Sequence, residues 1–88
     1  YKITSNRESG FGRYDVMLEP FDKSKTAYIL EFKVHNPRTE ASLEETVSKA
    51  LLQIDEKNYD AELIADGFRE EQICHFGFAF EGKHVLIG

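Results

Sequence analysis

At 88 residues the chain has room for one domain built on one hydrophobic core. Hydrophobic residues make up 41% of it and aromatic residues 12%, with seven Phe and four Tyr, enough to fill an interior and to exclude a disordered or low-complexity chain. The formal net charge of −5 argues, taken whole, against a polyanionic partner.

The charge is unevenly spread. Residues 1–39 carry seven basic and five acidic side chains, whereas 40–72 carry three basic and ten acidic. If the acidic segment is the solvated face of helices, the rest of the molecule can still accept a polyanion, with a bound divalent metal adding positive charge. No apolar run nears the roughly 18 to 20 residues of a membrane helix, and no basic-then-apolar leader opens the chain. A membrane association is therefore not expected, and a cytoplasmic location is. The single Cys74 can form no internal disulfide, which suits a reducing compartment. A chain opening on Tyr1 rather than Met is expected to be a domain of a longer protein, with further parts upstream.

In chain order, residues 1–8 read as a strand from their loose alternation and β-favouring types. Ser9-Gly10-Phe11-Gly12 breaks it, and Arg13–Glu19 returns as the second arm of a hairpin before Pro20. After the polar turn Lys23-Ser24-Lys25, Ala27–His35 gives the strongest strand signal of the sequence, stopped by Asn36-Pro37. Ser42-Leu43-Glu44-Glu45 is a capping box, and it opens an apolar stripe at Leu43, Val47, Ala50, Leu51 and Ile54 whose offsets are helical. A short second helix over Asp60–Asp66 should end at Gly67. Ile73–Phe80 and Lys83–Ile87 form another hairpin turning at Glu81-Gly82, with Cys74, Phe76, Phe78 and Phe80 on one face. The order is βββ, α, short α, ββ, which predicts an α+β sandwich with the helix on one face of a central mixed sheet.

In the third strand, alternation sends Tyr28, Leu30, Phe32 and Val34 to one side and Ile29, Glu31, Lys33 and His35 to the other. The aromatic row is the expected core, meeting the helical stripe. The opposite row carries an acid and a base two residues apart, roughly 6.5 Å along the strand. From spacing alone it reads equally as a solvated strand face. Two carboxylates and a lysine are, however, what Mg²⁺-assisted phosphodiester hydrolysis requires: hard oxygen ligands for the metal, and a cation to act on the attacking water or on developing charge. Asp15, on the strand preceding Glu31, is the candidate second carboxylate, since consecutive strands usually pair.

Asp15 followed by Glu31-Phe32-Lys33 on the next strand resembles the PD-(D/E)XK nuclease superfamily. The longer strings Asn6 to Asp15, Leu30 to Val34, Ala50-Leu51-Leu52-Gln53-Ile54 through Lys57-Asn58-Tyr59, and Gly77 to Lys83 look like its branch at the C-terminus of bacterial AAA-ATPase-like proteins. The resemblance implies a restriction-endonuclease-like fold, DNA as substrate and Mg²⁺ or Mn²⁺ as cofactor. It makes Asp15, Glu31 and the Phe32 carbonyl the metal ligands and Lys33 the residue acting on water. Gln53 matches the helical Gln that some members use near the site, Tyr59 an aromatic that follows it, and Glu8 an accessory acid ending the first strand. It further implies an AAA-ATPase-like domain upstream in the same chain. A homodimer is one way to cut both strands of a duplex and sequential nicking is the other; no interface is legible. Two departures are plain: Tyr14 stands where the motif has Pro, and the superfamily's first helix precedes the strand on which this chain opens. The alternative is an inactive module of the same fold that binds nucleic acid or protein.

Other residues invite less. Cys74 and His75 are adjacent but on opposite faces of a strand, so they are not expected to act as a pair. A zinc site from His35, Cys74, His75 and His84 lacks the usual paired spacing. No phosphate-binding loop signature is present.

Overall fold

The computed structural model describes residues 1–8 and 13–88, without the side chains of Arg7 and Glu8; the expected Gly10/Gly12 turn lies outside the described residues. The elements are β1 (Lys2–Glu8), β2 (Arg13–Glu19), β3 (Ala27–Val34), α1 (Leu43–Lys57), α2 (Tyr59–Ala65), a 3-10 turn (Glu70–Gln72), β4 (Ile73–Glu81) and β5 (His84–Ile87). They follow the predicted order, with the 3-10 turn added. The five strands form one mixed sheet in the order β1-β2-β3-β4-β5. Only β3 and β4 run parallel, and their connection carries both α-helices, as a parallel crossover requires.

Local chemistry sets the helix ends. Ser42 caps α1 by accepting the Glu45 N–H at 3.3 Å, while the Glu45 carboxylate accepts the Ala41 N–H at 2.8 Å, one residue ahead of the usual capping-box donor. Asn58 ends α1 in the left-handed region (φ 53°, ψ 44°), which Asn tolerates better than most residues. That single residue redirects the chain into α2. The predicted glycine stop is observed: Gly67 has φ +106°, its N–H bonds to the Ile64 carbonyl, and the Phe68 N–H bonds to that of Leu63. This is the paired pattern of a Schellman ending.

One expectation is reversed. The stripe of α1 does not pack on Tyr28, Leu30, Phe32 and Val34; it covers the other side of β3, where Ala27, Ile29 and Glu31 are fully buried while Val34 is 55% exposed. Alternation tells which residues share a face, but not which face a helix will choose. The choice follows from size. On the covered side β4 presents Gly77 and Ala79, so the α1 backbone can come close: a Cβ on Gly77 would stand 3.0 Å from the Val47 carbonyl oxygen and 3.2 Å from the Ala50 Cβ. On the other side Phe76, Phe78 and Phe80 would hold it off. The core is accordingly Met17, Ala27, Ile29, Ile54, Leu63 and Phe68, with Leu51, Tyr59 and Ile73 packed around it. The aromatic row stays open, its rings stacked on one another: Phe32 lies 4.5 Å from Tyr14 and 4.6 Å from Phe78 between centroids.

Gly77→Ala is therefore expected to lower stability by about 1–3 kcal/mol through overpacking against α1, read from the midpoint of urea unfolding. An unchanged midpoint would contradict the seating of α1 at that position.

Candidate active site

The face beneath α1 gathers the chemistry-bearing residues of three strands in two cross-strand rows. Asn6, Asp15, Glu31 and Gly77 are successive partners in the first, and Glu8, Arg13, Lys33 and Ala79 in the second. The pairing of Asp15 with Glu31, expected only from strand order, is thus direct.

Both carboxylates are withdrawn from water, Asp15 at 2% exposure and Glu31 at 0%. Carboxylates buried this deeply call for a counter-charge, since an unpaired charge out of water is costly. The counter-charge here is Lys57, at the last position of α1. Its Nζ lies 2.8 Å from Asp15 Oδ2 and 3.6 Å from Glu31 Oε1, so those two oxygens flank a single cation. Asp15 is further fixed by Asn6, whose Nδ2 donates to Oδ1 at 3.2 Å, and by Tyr59, whose hydroxyl donates to Oδ2 at 3.0 Å. Burial, reinforced by this bond and by the Asp15 charge, pushes the Tyr59 phenol up to about 12, so it remains a donor at neutral pH. The left-handed Asn58 lies between Lys57 and Tyr59, and both flanking side chains converge on Asp15.

Lys33 shares the face but is engaged elsewhere. Its ammonium forms a short ion pair with Glu40, a residue 4% exposed in the link before α1. Glu40 also accepts the Asn36 N–H at 2.8 Å and the Thr46 hydroxyl at 2.8 Å, with Lys49 at 3.5 Å. With the Thr46 proton given to Glu40, His35 Nδ1, 2.7 Å from the same hydroxyl, must be a donor. Burial alone would raise the Glu40 carboxyl, but the Asn36 N–H, Lys33 and Thr46 together hold it down to about 2. Gln53 reaches across to the sheet, where its Oε1 accepts from Arg13 Nη1 at 2.9 Å. Phe32 lies on a strand paired on both edges, and the Glu8 side chain lies outside the described residues.

Sequence reasoning missed Lys57, Arg13 and Glu40 as parts of this face. Lys57 and Arg13 stand within the strings that carried the resemblance, but neither spacing nor residue type marked them. Glu40 was one acid in a run expected to be solvated, and it is the exception there: Glu44, Asp55, Glu56, Glu62, Glu70 and Glu71 are exposed. Cys74 and His75 diverge as predicted; Cys74 is half-buried on the aromatic face, while His75 Nε2 sits 2.6 Å from Asp60 Oδ1 on the helix side. Among the described residues no three or more His, Cys, Asp or Glu side chains form a group that could hold a metal ion. The surface hollow bounded by Asp55, Asn58, Asp60 and Ile64 lies beside α2 and contains none of Asp15, Glu31 or Lys33. Among the described residues no helix is long and apolar enough to cross a membrane.

No curated protein and no solved structure matches the chain. The α+β architecture, a five-stranded mixed sheet with two helices, is consistent with a restriction-endonuclease-like fold, and a family model matches residues 1–88 in full. The chain belongs to the PD-(D/E)XK nuclease superfamily.

Proposed function

We propose that the domain is a metal-dependent phosphodiesterase acting on DNA, in which Asp15 and Glu31 hold Mg²⁺ or Mn²⁺ with help from the Phe32 carbonyl, and Lys33 acts on the attacking water. The observation that supports it most directly is the ammonium held by Asp15 and Glu31 together, since a position built for a cation between two buried oxygen ligands suits a hard divalent ion. Two carboxylates are enough, because Mg²⁺ keeps several of its waters. When bound, the metal supplies Lewis acidity toward the phosphate and lowers the pKa of a coordinated water.

The protein's own residues do the rest. Asn6 and Tyr59 hold the Asp15 carboxylate in one orientation, so little reorganisation is needed when a ligand arrives. Glu40 stations the Lys33 amine on the same face, ready to orient water or stabilise charge on the phosphate. Gln53 serves the site through Arg13, whose guanidinium it anchors and whose fork suits a phosphodiester. Glu8 would be an accessory acid from the neighbouring strand. An AAA-ATPase-like domain in the same chain, a homodimer that offers two sites to a duplex, and a cytoplasmic location complete the proposal.

A second possibility has its own observation. With Lys57 on the carboxylates and Lys33 on Glu40, every one of these charges is answered without a metal, as a catalytically inactive module binding nucleic acid or protein would require. Plasmid nicking in Mg²⁺ or Mn²⁺ separates the two. Cleavage by the wild type and none by Asp15→Asn is the expected result, whereas binding without cleavage, indifferent to Asp15→Asn, would establish the inactive module.

A further inference from the structure

We infer that the Lys57 ammonium and the divalent metal are alternative occupants of one position, so that metal binding ejects Lys57 from between Asp15 and Glu31. The inference rests on the metal site proposed above and adds to it a residue that competes for that site.

Three features carry it. The first is place: Nζ is 2.8 Å from one carboxylate and 3.6 Å from the other, so an ion coordinated by both oxygens would have to stand where the ammonium now stands. The second is charge. Asp15 and Glu31 are buried and need a cation in the metal-free protein, but a dication and an ammonium at this separation repel, with little water between to screen them. The third is freedom to leave. Lys57 ends α1, its four-carbon stem is flexible, and its side chain is still 17% exposed, so it can swing to solvent without unwinding the helix. Tyr59 and Asn6 stay on Asp15 through the exchange, keeping the ligand oriented.

The exchange makes Lys57 a brake on metal affinity and a stabiliser of the buried carboxylate pair. Mn²⁺ titration by calorimetry tests it, on wild type, Lys57→Met, Lys57→Gln and Asp15→Asn, each checked for folding by circular dichroism. Lys57→Met and Lys57→Gln should bind Mn²⁺ about tenfold or more tighter than wild type. In the wild type, acetylation of Lys57 followed by mass spectrometry should accelerate severalfold on adding saturating Mg²⁺, because the amine is released. A purely structural lysine would show no such acceleration, and this readout stands even if a substitution unfolds the chain. Variants that bind Mn²⁺ no better than wild type, or a Lys57 amine that Mg²⁺ leaves as protected as before, would overturn the exchange while leaving the metal site standing. Metal binding absent from wild type and both Lys57 variants alike, or undiminished by Asp15→Asn, would instead remove the metal site itself. Binding seen only after Lys57 is replaced would confirm the competition in its strongest form.

Discussion

Glu40→Ala is expected to cost about 3–5 kcal/mol, the range for removing one partner of a buried ion pair. Lys33 would lose its charge partner, the Asn36 N–H and the Thr46 hydroxyl would lose their acceptor, and the chain between β3 and α1 would lose the group that ties it down. For a domain of this size that is a fall in Tm of roughly 12–40 °C, and a large fraction of total stability. Glu40→Gln keeps an acceptor of the same shape and should cost much less. The two separate by pH. The folded carboxyl is held near 2 against 4.5 when unfolded, so its contribution is complete above about pH 4.5 and disappears as the pH falls toward 2. At ~1.4 kcal/mol per pH unit that contribution is about 3 kcal/mol. Urea midpoints from pH 7 to pH 2.5 should therefore fall more steeply for the wild type than for Glu40→Gln. Parallel curves would mean that Glu40 gains nothing from its surroundings.

Lys33→Gln is expected to reduce metal-dependent DNA cleavage by about 10²–10⁴-fold, the usual range for a lost proton-transfer or charge-stabilising group. Its affinity for Mn²⁺ should stay within about twofold of the wild type, since the Lys33 amine contacts Glu40 and not the carboxylate pair. An amide at position 33 can still donate to Glu40, which also keeps Asn36 and Thr46, so folding should survive. Cleavage rates at saturating Mn²⁺, set beside the calorimetric affinity, make the separation. Loss of both together would place Lys33 in metal binding, and loss of neither would take it out of the chemistry.

How far these residues could be read before the structure depends on the kind of information each needs. Ser42 and Gly67 mark helix ends through bonds made within a few residues, so their local sequence suffices. Asp15 beside Glu31 follows from two adjacent strands running antiparallel, which short connections make the default. The face covered by α1 did not follow, because the row beneath it carries Glu31 and Lys33 and reads as solvated, while the small Gly77 and Ala79 that admit the helix stand on a different strand. Lys57 and Glu40 were illegible for a related reason. Each meets its partner across 42 and 7 positions of chain respectively, and charged side chains in or next to a helix are solvated unless the fold brings something to them.

The sequence by itself determined the element order, the helix caps and the pairing of the Asp15 strand with the Glu31 strand, since these depend on neighbours in the chain and on short connections. Tertiary structure alone decided that the acids lie beneath a helix rather than on an open face, and that Lys57 and Glu40 neutralise the site. The physical reason is that a small glycine on β4 sets how closely α1 can approach, and burial then requires that every charge trapped there be met by another.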